Sequence, residues 1–184
     1  MSLGIVFITG QSNPKSCDLS PLQKHFGQLL EGEGRVLHPT NFPYQSNLEA
    51  HRPVHLIKAS YANYASFRHA RSSHFSERYS PQVAKLFKQY THVLFLAGSC
   101  GLELLNNLRL PEGALQRMSV LAYGPVTRSS ADLPVTIVKG RYDFISCFNQ
   151  HKADYVVACG HMGYLSSPEF QRIALKQVES LVND

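Results

Sequence analysis

Three residues in this chain have the types and settings that acyl-transfer chemistry requires: Ser99, Asp143 and His161. Ser99 follows the apolar, strand-like run His92-Val93-Leu94-Phe95-Leu96-Ala97-Gly98. It precedes Cys100-Gly101-Leu102-Glu103-Leu104-Leu105, which reads as the start of a helix. A strand-to-helix corner built of small residues lets the backbone fold sharply and leaves the serine hydroxyl exposed beside the first helix amide. Asp143 ends Lys139-Gly140-Arg141-Tyr142-Asp143, just past the β-branched run Pro134-Val135-Thr136-Ile137-Val138. His161 ends Cys159-Gly160-His161, just past a second short run centred on Tyr155-Val156-Val157. Ligands of open α/β sheets bind outside the carboxyl ends of the strands, so side chains at three such ends can converge. A serine hydroxyl needs a base within reach, an imidazole can serve, and a carboxylate can hold that imidazole in the right tautomer. Each residue alone has a plainer reading: a small-residue turn, a turn aspartate, one loop histidine among nine. Their order, each at a strand end, is what favours the chemical reading.

Four pieces, in order, resemble the α/β-hydrolase superfamily and within it the small single-domain serine hydrolases of esterase type. They are the early strand ending Phe7-Ile8-Thr9-Gly10-Gln11, the corner Ala97-Gly98-Ser99-Cys100-Gly101, the segment Gly140-Arg141-Tyr142-Asp143, and Gly160-His161 before a helix at Ser167-Pro168-Glu169. The corner is similar to the G-x-S-x-G nucleophile elbow, with Ala97 in place of the first glycine. Thr9 stands where the family carries a histidine before its first-loop glycine. The resemblance implies cleavage of an ester, thioester or related acyl bond through an acyl-enzyme. In it Ser99 is the nucleophile, His161 the base and Asp143 its orienting acid. The backbone amides of Cys100 and Gln11 would then form the oxyanion hole. A non-catalytic binding protein on the same fold and an acyltransferase are the alternatives.

Cys100 is a rival nucleophile by type. Taking it as the attacking residue would put Leu102 where the tight corner calls for glycine, so the register favours Ser99. Cys17, Cys147 and Cys159 form no C-x-x-C pair and no zinc pattern, and reduced thiols are expected. His51 and His55 are four apart, yet Pro53 between them argues against a continuous helix presenting both to a metal. Neither a metal nor another cofactor is expected.

The elements that must position these residues alternate between strand and helix, the pattern of an α/β fold. The expected architecture is a three-layer sandwich, a mostly parallel sheet of about six strands with helices on both faces. Ser-Pro pairs at Ser20-Pro21, Ser80-Pro81 and Ser167-Pro168 each read as an N-cap followed by proline at the first helical position. Strands are expected at Leu3–Thr9, Arg35–His38, His92–Ala97, Ser119–Tyr123, Pro134–Val138 and Ala153–Cys159.

At 184 residues the chain suits one domain, 1–184, with a substantial core, and 43% hydrophobic content is ordinary for a globular protein. No apolar run is long enough to span a membrane, and no basic start precedes a cleavable apolar stretch, so a cytoplasmic location is expected. Residues 42–79 mix aromatic and basic side chains and read as a short cap or cover over the site. Stacking and phosphate neutralisation could use them. The spacing Ile57, Tyr61, Tyr64, Arg68 instead reads as an inward helix face, so nucleic acid is not the expected partner. The expected partner is a small acyl substrate, with the net charge of +5 suited to an anionic one.

Overall fold

β-Branched and leucine-rich runs without alternating polar residues call for strands buried on both faces. A computed structural model of the chain describes residues 2–11, 13, 15–45, 71–128, 132–146 and 151–183. In chain order the elements are β1 (Leu3–Ile8), α1 (Pro21–Leu30), β2 (Arg35–Leu37), α2 (Ser73–Gln89), β3 (His92–Gly98), α3 (Gly101–Asn106), β4 (Met118–Tyr123), β5 (Val135–Gly140), β6 (Tyr155–Val157) and α4 (Pro168–Asn183). The six strands form one sheet in the order β2-β1-β3-β4-β5-β6, and all five neighbouring pairs are parallel. The chain is thus of the α/β class.

The pleat divides the apolar side chains between two cores. Val6, Ile8, Phe95, Ala97, Val120 and Ala122 pack with residues of α2 and α3, among them Phe75, Leu86, Leu102 and Leu105. Leu3, Ile5, Phe7, Leu94, Leu96 and Leu121 pack with residues of α1 and α4, among them Phe26, Leu30, Phe170 and Val178. The register keeps each set together: Ile5 faces Leu94 and Val6 faces Phe95 across the β1–β3 ladder, and Phe95 faces Val120 across β3–β4. A one-residue slip would exchange the two sets.

Helix entry follows side-chain chemistry at two of the three Ser-Pro pairs. The Ser20 hydroxyl accepts the Gln23 N–H, the Gln23 side chain accepts the Ser20 N–H, and Pro21 takes the first helical position. α4 likewise starts at Pro168, with the Ser167 hydroxyl accepting the Phe170 N–H. The third pair departs from expectation. α2 starts earlier, capped by Ser72, and Pro81 lies inside it. Ser72 caps by accepting the Phe75 N–H, while the Ser80 hydroxyl accepts the Arg109 N–H instead of capping. Phe75, near the start of α2, is buried in the core, so the turns between it and Pro81 are held in the helix.

The described ends of the 42–79 segment belong to the core. Phe42, Tyr44 and Phe75 are buried, and Tyr79 packs edge-on to Tyr44. Residues 46–70, with the expected helix face Ile57–Arg68 and His51 and His55, lie outside the described residues, as does Cys147. Cys17, Cys100 and Cys159 are free and buried. No described helix is long and apolar enough to cross a membrane.

Phe26 sits between Phe7 and Phe170, with ring centroids at 6.3 and 5.4 Å. Phe26→Ala is expected to lower the free energy of unfolding by about 3–5 kcal/mol, since the two flanking rings cannot close over the space left. Urea denaturation measures this, and a loss below about 1 kcal/mol would show that the core relaxes around the site.

Candidate active site

β3 delivers Ser99 at its carboxyl end, and the turn there is under strain. Ser99 has φ +53°, the one positive φ among the described non-glycine residues. For an L-residue this left-handed conformation costs about 1–2 kcal/mol. Two main-chain bonds hold it: the Ser99 N–H donates to the Tyr123 carbonyl, and the Ser99 carbonyl accepts the Val126 N–H. Both tie the corner to β4. On the other side a Cβ at Gly101 would overlap the Ile8 carbonyl oxygen, so the start of α3 lies directly against the end of β1. Gly98 lies against the Tyr123 ring, where a Cβ would also clash. The small residues at this corner are therefore required by both neighbouring strands.

Asp143 and His161 arrive from the ends of β5 and β6, on the far side of β4 from Ser99. His161 Nδ1 lies 3.0 Å from each Asp143 carboxylate oxygen, and His161 Nε2 lies 3.1 Å from the Ser99 hydroxyl oxygen. The three side chains, separated by 44 and 18 positions in sequence, thus form one continuous hydrogen-bonded line. A carboxylate only accepts, so Nδ1 carries the proton and Nε2 presents its lone pair to the hydroxyl. Asp143 is buried and fully engaged. Its carboxylate also accepts the Ile145 and Ser146 N–H groups at 3.1 and 3.0 Å and the Tyr164 hydroxyl at 2.7 Å. Burial pushes its pKa up, but the hydrogen bonds from Tyr164, Ser146 and His161 outweigh that and hold it below the ordinary value.

Tyr164 is a partner that sequence patterns give no means of finding. Its buried hydroxyl donates to Asp143 and accepts the Gly140 N–H at 2.6 Å, joining the end of β5 to the turn before α4. Glu103 left a trace in the sequence, as an acid within an apolar helical stretch. It is buried on α3, one turn beyond Ser99. Its carboxylate accepts from Arg71 at 2.8 Å, from the Thr127 hydroxyl at 2.7 Å and from the Arg128 N–H at 3.0 Å. Burial again works to raise its pKa, and the bonds from Arg128, Thr127 and Arg71 lower it overall.

The loop after β1 is clamped over the same corner. Asn41 Oδ1 accepts both the N–H and the hydroxyl of Thr9, and Asn41 Nδ2 donates to the Thr9 carbonyl. The Gly10 main chain lies close enough to Cys100 to lower its thiol pKa slightly against the larger effect of burial. Among the described residues no acceptor takes the main-chain N–H of Cys100 or of Gln11. The Cys100 thiol is pushed up to about 12 by burial, so it stays protonated at neutral pH and is a poor nucleophile. No cluster of three or more His, Cys, Asp or Glu side chains suited to a metal occurs among the described residues.

No protein-family model matches the chain, and a search of curated proteins finds no relative.

Two expectations follow. Ser99→Gly should be more stable than Ser99→Ala by about 1 kcal/mol, because glycine adopts φ +53° without penalty and alanine does not. Thermal unfolding of the two variants side by side measures the difference. Glu103 and Asp143 have lower pKa values folded than unfolded, so each contributes stability above its ordinary value, 4.5 and 3.8, and that contribution fades as pH falls through the folded value. Glu103→Gln should accordingly be less stable than the native chain at neutral pH, with the gap narrowing at about pH 3.5. Urea titrations at the two pH values give the answer, and a constant gap would contradict it.

Proposed function

We propose that the chain is a serine hydrolase of the α/β-hydrolase type, a three-layer sandwich that cleaves an ester, thioester or related acyl bond through an acyl-enzyme. The observation that carries this reading is the hydrogen-bonded line Asp143–His161–Ser99 ending on a hydroxyl whose backbone is held at positive φ. Backbone strain of that kind persists only where surrounding structure enforces it, and it concentrates at functional sites.

The reaction uses these atoms in a fixed order. Ser99 Oγ attacks the acyl carbon as His161 Nε2 takes its proton. Asp143, held ionised by its other donors, stabilises the imidazolium. The oxyanion of the tetrahedral intermediate accepts hydrogen bonds from the Cys100 and Gln11 N–H groups, a contribution of about 3–4 kcal/mol per donor. The bond to the leaving group then breaks, and His161 gives the proton to the departing atom. Water, deprotonated by His161, attacks the acyl-enzyme, and collapse returns the proton to Ser99 and releases the acid. An alcohol or amine in place of water would make the same machinery a transferase.

Intact-mass labelling with a fluorophosphonate tests the reading. The native chain is expected to gain one adduct, and Ser99→Ala and His161→Ala are expected to gain none. No adduct on the folded native chain would overturn the proposal and leave a binding protein of the same architecture. If an added alcohol captures the acyl group faster than water does, the activity is transfer.

A further inference from the structure

The phenol of Tyr164 stands at the far end of the hydrogen-bonded line, and its surroundings leave its proton one direction. Its oxygen lies 2.7 Å from Asp143 Oδ2 and 2.6 Å from the Gly140 nitrogen. A carboxylate only accepts and a main-chain N–H only donates, so the phenol proton points at Asp143. Burial, and then the bond to Asp143, raise the pKa of Tyr164, so the phenol keeps that proton at neutral pH. Two glycines clear the space for this contact. A Cβ at Gly124 would stand 2.8 Å from both Asp143 Oδ2 and the Tyr164 ring, and one at Gly140 would stand 3.1 Å from the phenol oxygen. The ring itself packs on Tyr123 and Phe170, with centroids at 5.7 and 5.9 Å.

The two oxygens of the Asp143 carboxylate are held by different kinds of donor. Oδ1 accepts the main-chain N–H groups of Ile145 and Ser146, which are there whatever the side chains. Oδ2 accepts the phenol, and His161 Nδ1 lies 3.0 Å from both oxygens. The Ser146 hydroxyl reaches the Asp143 carbonyl at 3.4 Å and has the smallest lowering effect on the carboxylate. Among the described residues His161 is the one base that pairs with Asp143. Cys159 is the other titratable group near that charge. Its thiol is raised by burial first, then by Asp143 and Glu169, and so stays protonated at neutral pH.

We infer that Tyr164 is a positioning residue for the reaction, which holds Oδ2, draws carboxylate charge away from the imidazole and so extends the working range of His161 as a base to lower pH. This rests on the acyl-enzyme reading above. The imidazole must be unprotonated to take the Ser99 proton, and a negative charge beside it favours the imidazolium. A phenol O–H on a carboxylate is a charge-assisted bond, and the charge it takes up is withdrawn from the face that meets Nδ1. Without the phenol more of the charge faces the ring, and the ring holds its proton to higher pH.

The rate of labelling by a fluorophosphonate, followed by intact mass between about pH 5 and about pH 8, tests this. In that step the bond from Ser99 Oγ to phosphorus forms, the phosphorus–fluorine bond breaks and fluoride leaves, while the serine proton passes to His161. Tyr164→Phe is expected to move the midpoint of the acid limb up by about half a pH unit, so that the rate relative to native is about threefold lower on that limb than on the plateau. A role confined to holding the turn would lower the rate evenly and leave the midpoint in place, and that result overturns the inference. 3,5-Difluorotyrosine at position 164 keeps the shape and makes the phenol a stronger donor, so it is expected to move the midpoint down. This second arm decides the matter if thermal melting shows that Tyr164→Phe does not fold, and an unmoved or raised midpoint there overturns the inference. Each of these failures leaves the acyl-enzyme reading intact, whereas absence of any adduct on native chain overturns both.

Discussion

The left-handed backbone at Ser99 is the constraint on which the rest of the site depends. A serine relaxes out of that conformation unless both of its neighbours forbid it. Here Gly101 lies against the Ile8 carbonyl and Gly98 against the Tyr123 ring, so neither neighbour can carry a larger side chain, while two main-chain bonds tie Ser99 to Tyr123 at the end of β4 and to Val126 beyond it. β3 is the strand between β1 and β4, so the strain sits where the sheet is best supported. A corner at an edge strand would have one such wall, and its serine would turn away.

Two buried carboxylates brace the corner from opposite directions. Asp143 gathers donors from the β5 loop, from His161 and from Tyr164. Glu103 gathers donors from Arg71, Thr127 and Arg128, joining α3 to the approach to α2 and to the chain leaving β4. A buried carboxylate without partners is strongly unfavourable, so each network forms almost complete or not at all. Their presence on both flanks fixes the imidazole and the start of α3 relative to the serine between them. Asn41 plays a neutral version of this part, holding both main-chain groups of Thr9 and with them the loop that carries Gln11.

The elements legible in sequence were those whose signal is local and whose outcome the fold did not override. The inner strands could be read because buried parallel strands leave uninterrupted apolar runs, and the short edge strands β2 and β6 from their β-branched residues. Their ends were less clear: the strand through Val138 continues to Gly140, and the one read from Ala153 to Cys159 narrows to Tyr155–Val157 at the sheet edge. Ser-Pro marks a helix start at two places and an interior turn at a third, because Ser80 spends its hydroxyl on Arg109 and Phe75 has a core to enter. The meeting of Ser99, Asp143 and His161 could be anticipated because parallel strands deliver their carboxyl ends to one side. Tyr164 and Asn41 could not, since their hydrogen bonds join residues 21 and 32 positions apart with no periodic pattern to announce them.

The parallel order of the sheet also has a consequence in time. β1 lies between β2 and β3, and all of its side chains are buried. β2 follows it closely in the chain, whereas the other edge waits for β3, as the bond between Ser2 and Thr91 spans 89 positions. At a synthesis rate of roughly 5–20 residues per second, that edge stays unpaired for on the order of ten seconds as the chain is made. During that interval the most apolar strand of the protein presents open backbone groups to its surroundings. The newborn chain is thus most vulnerable to pairing with another molecule well before Ser99 has been added to it.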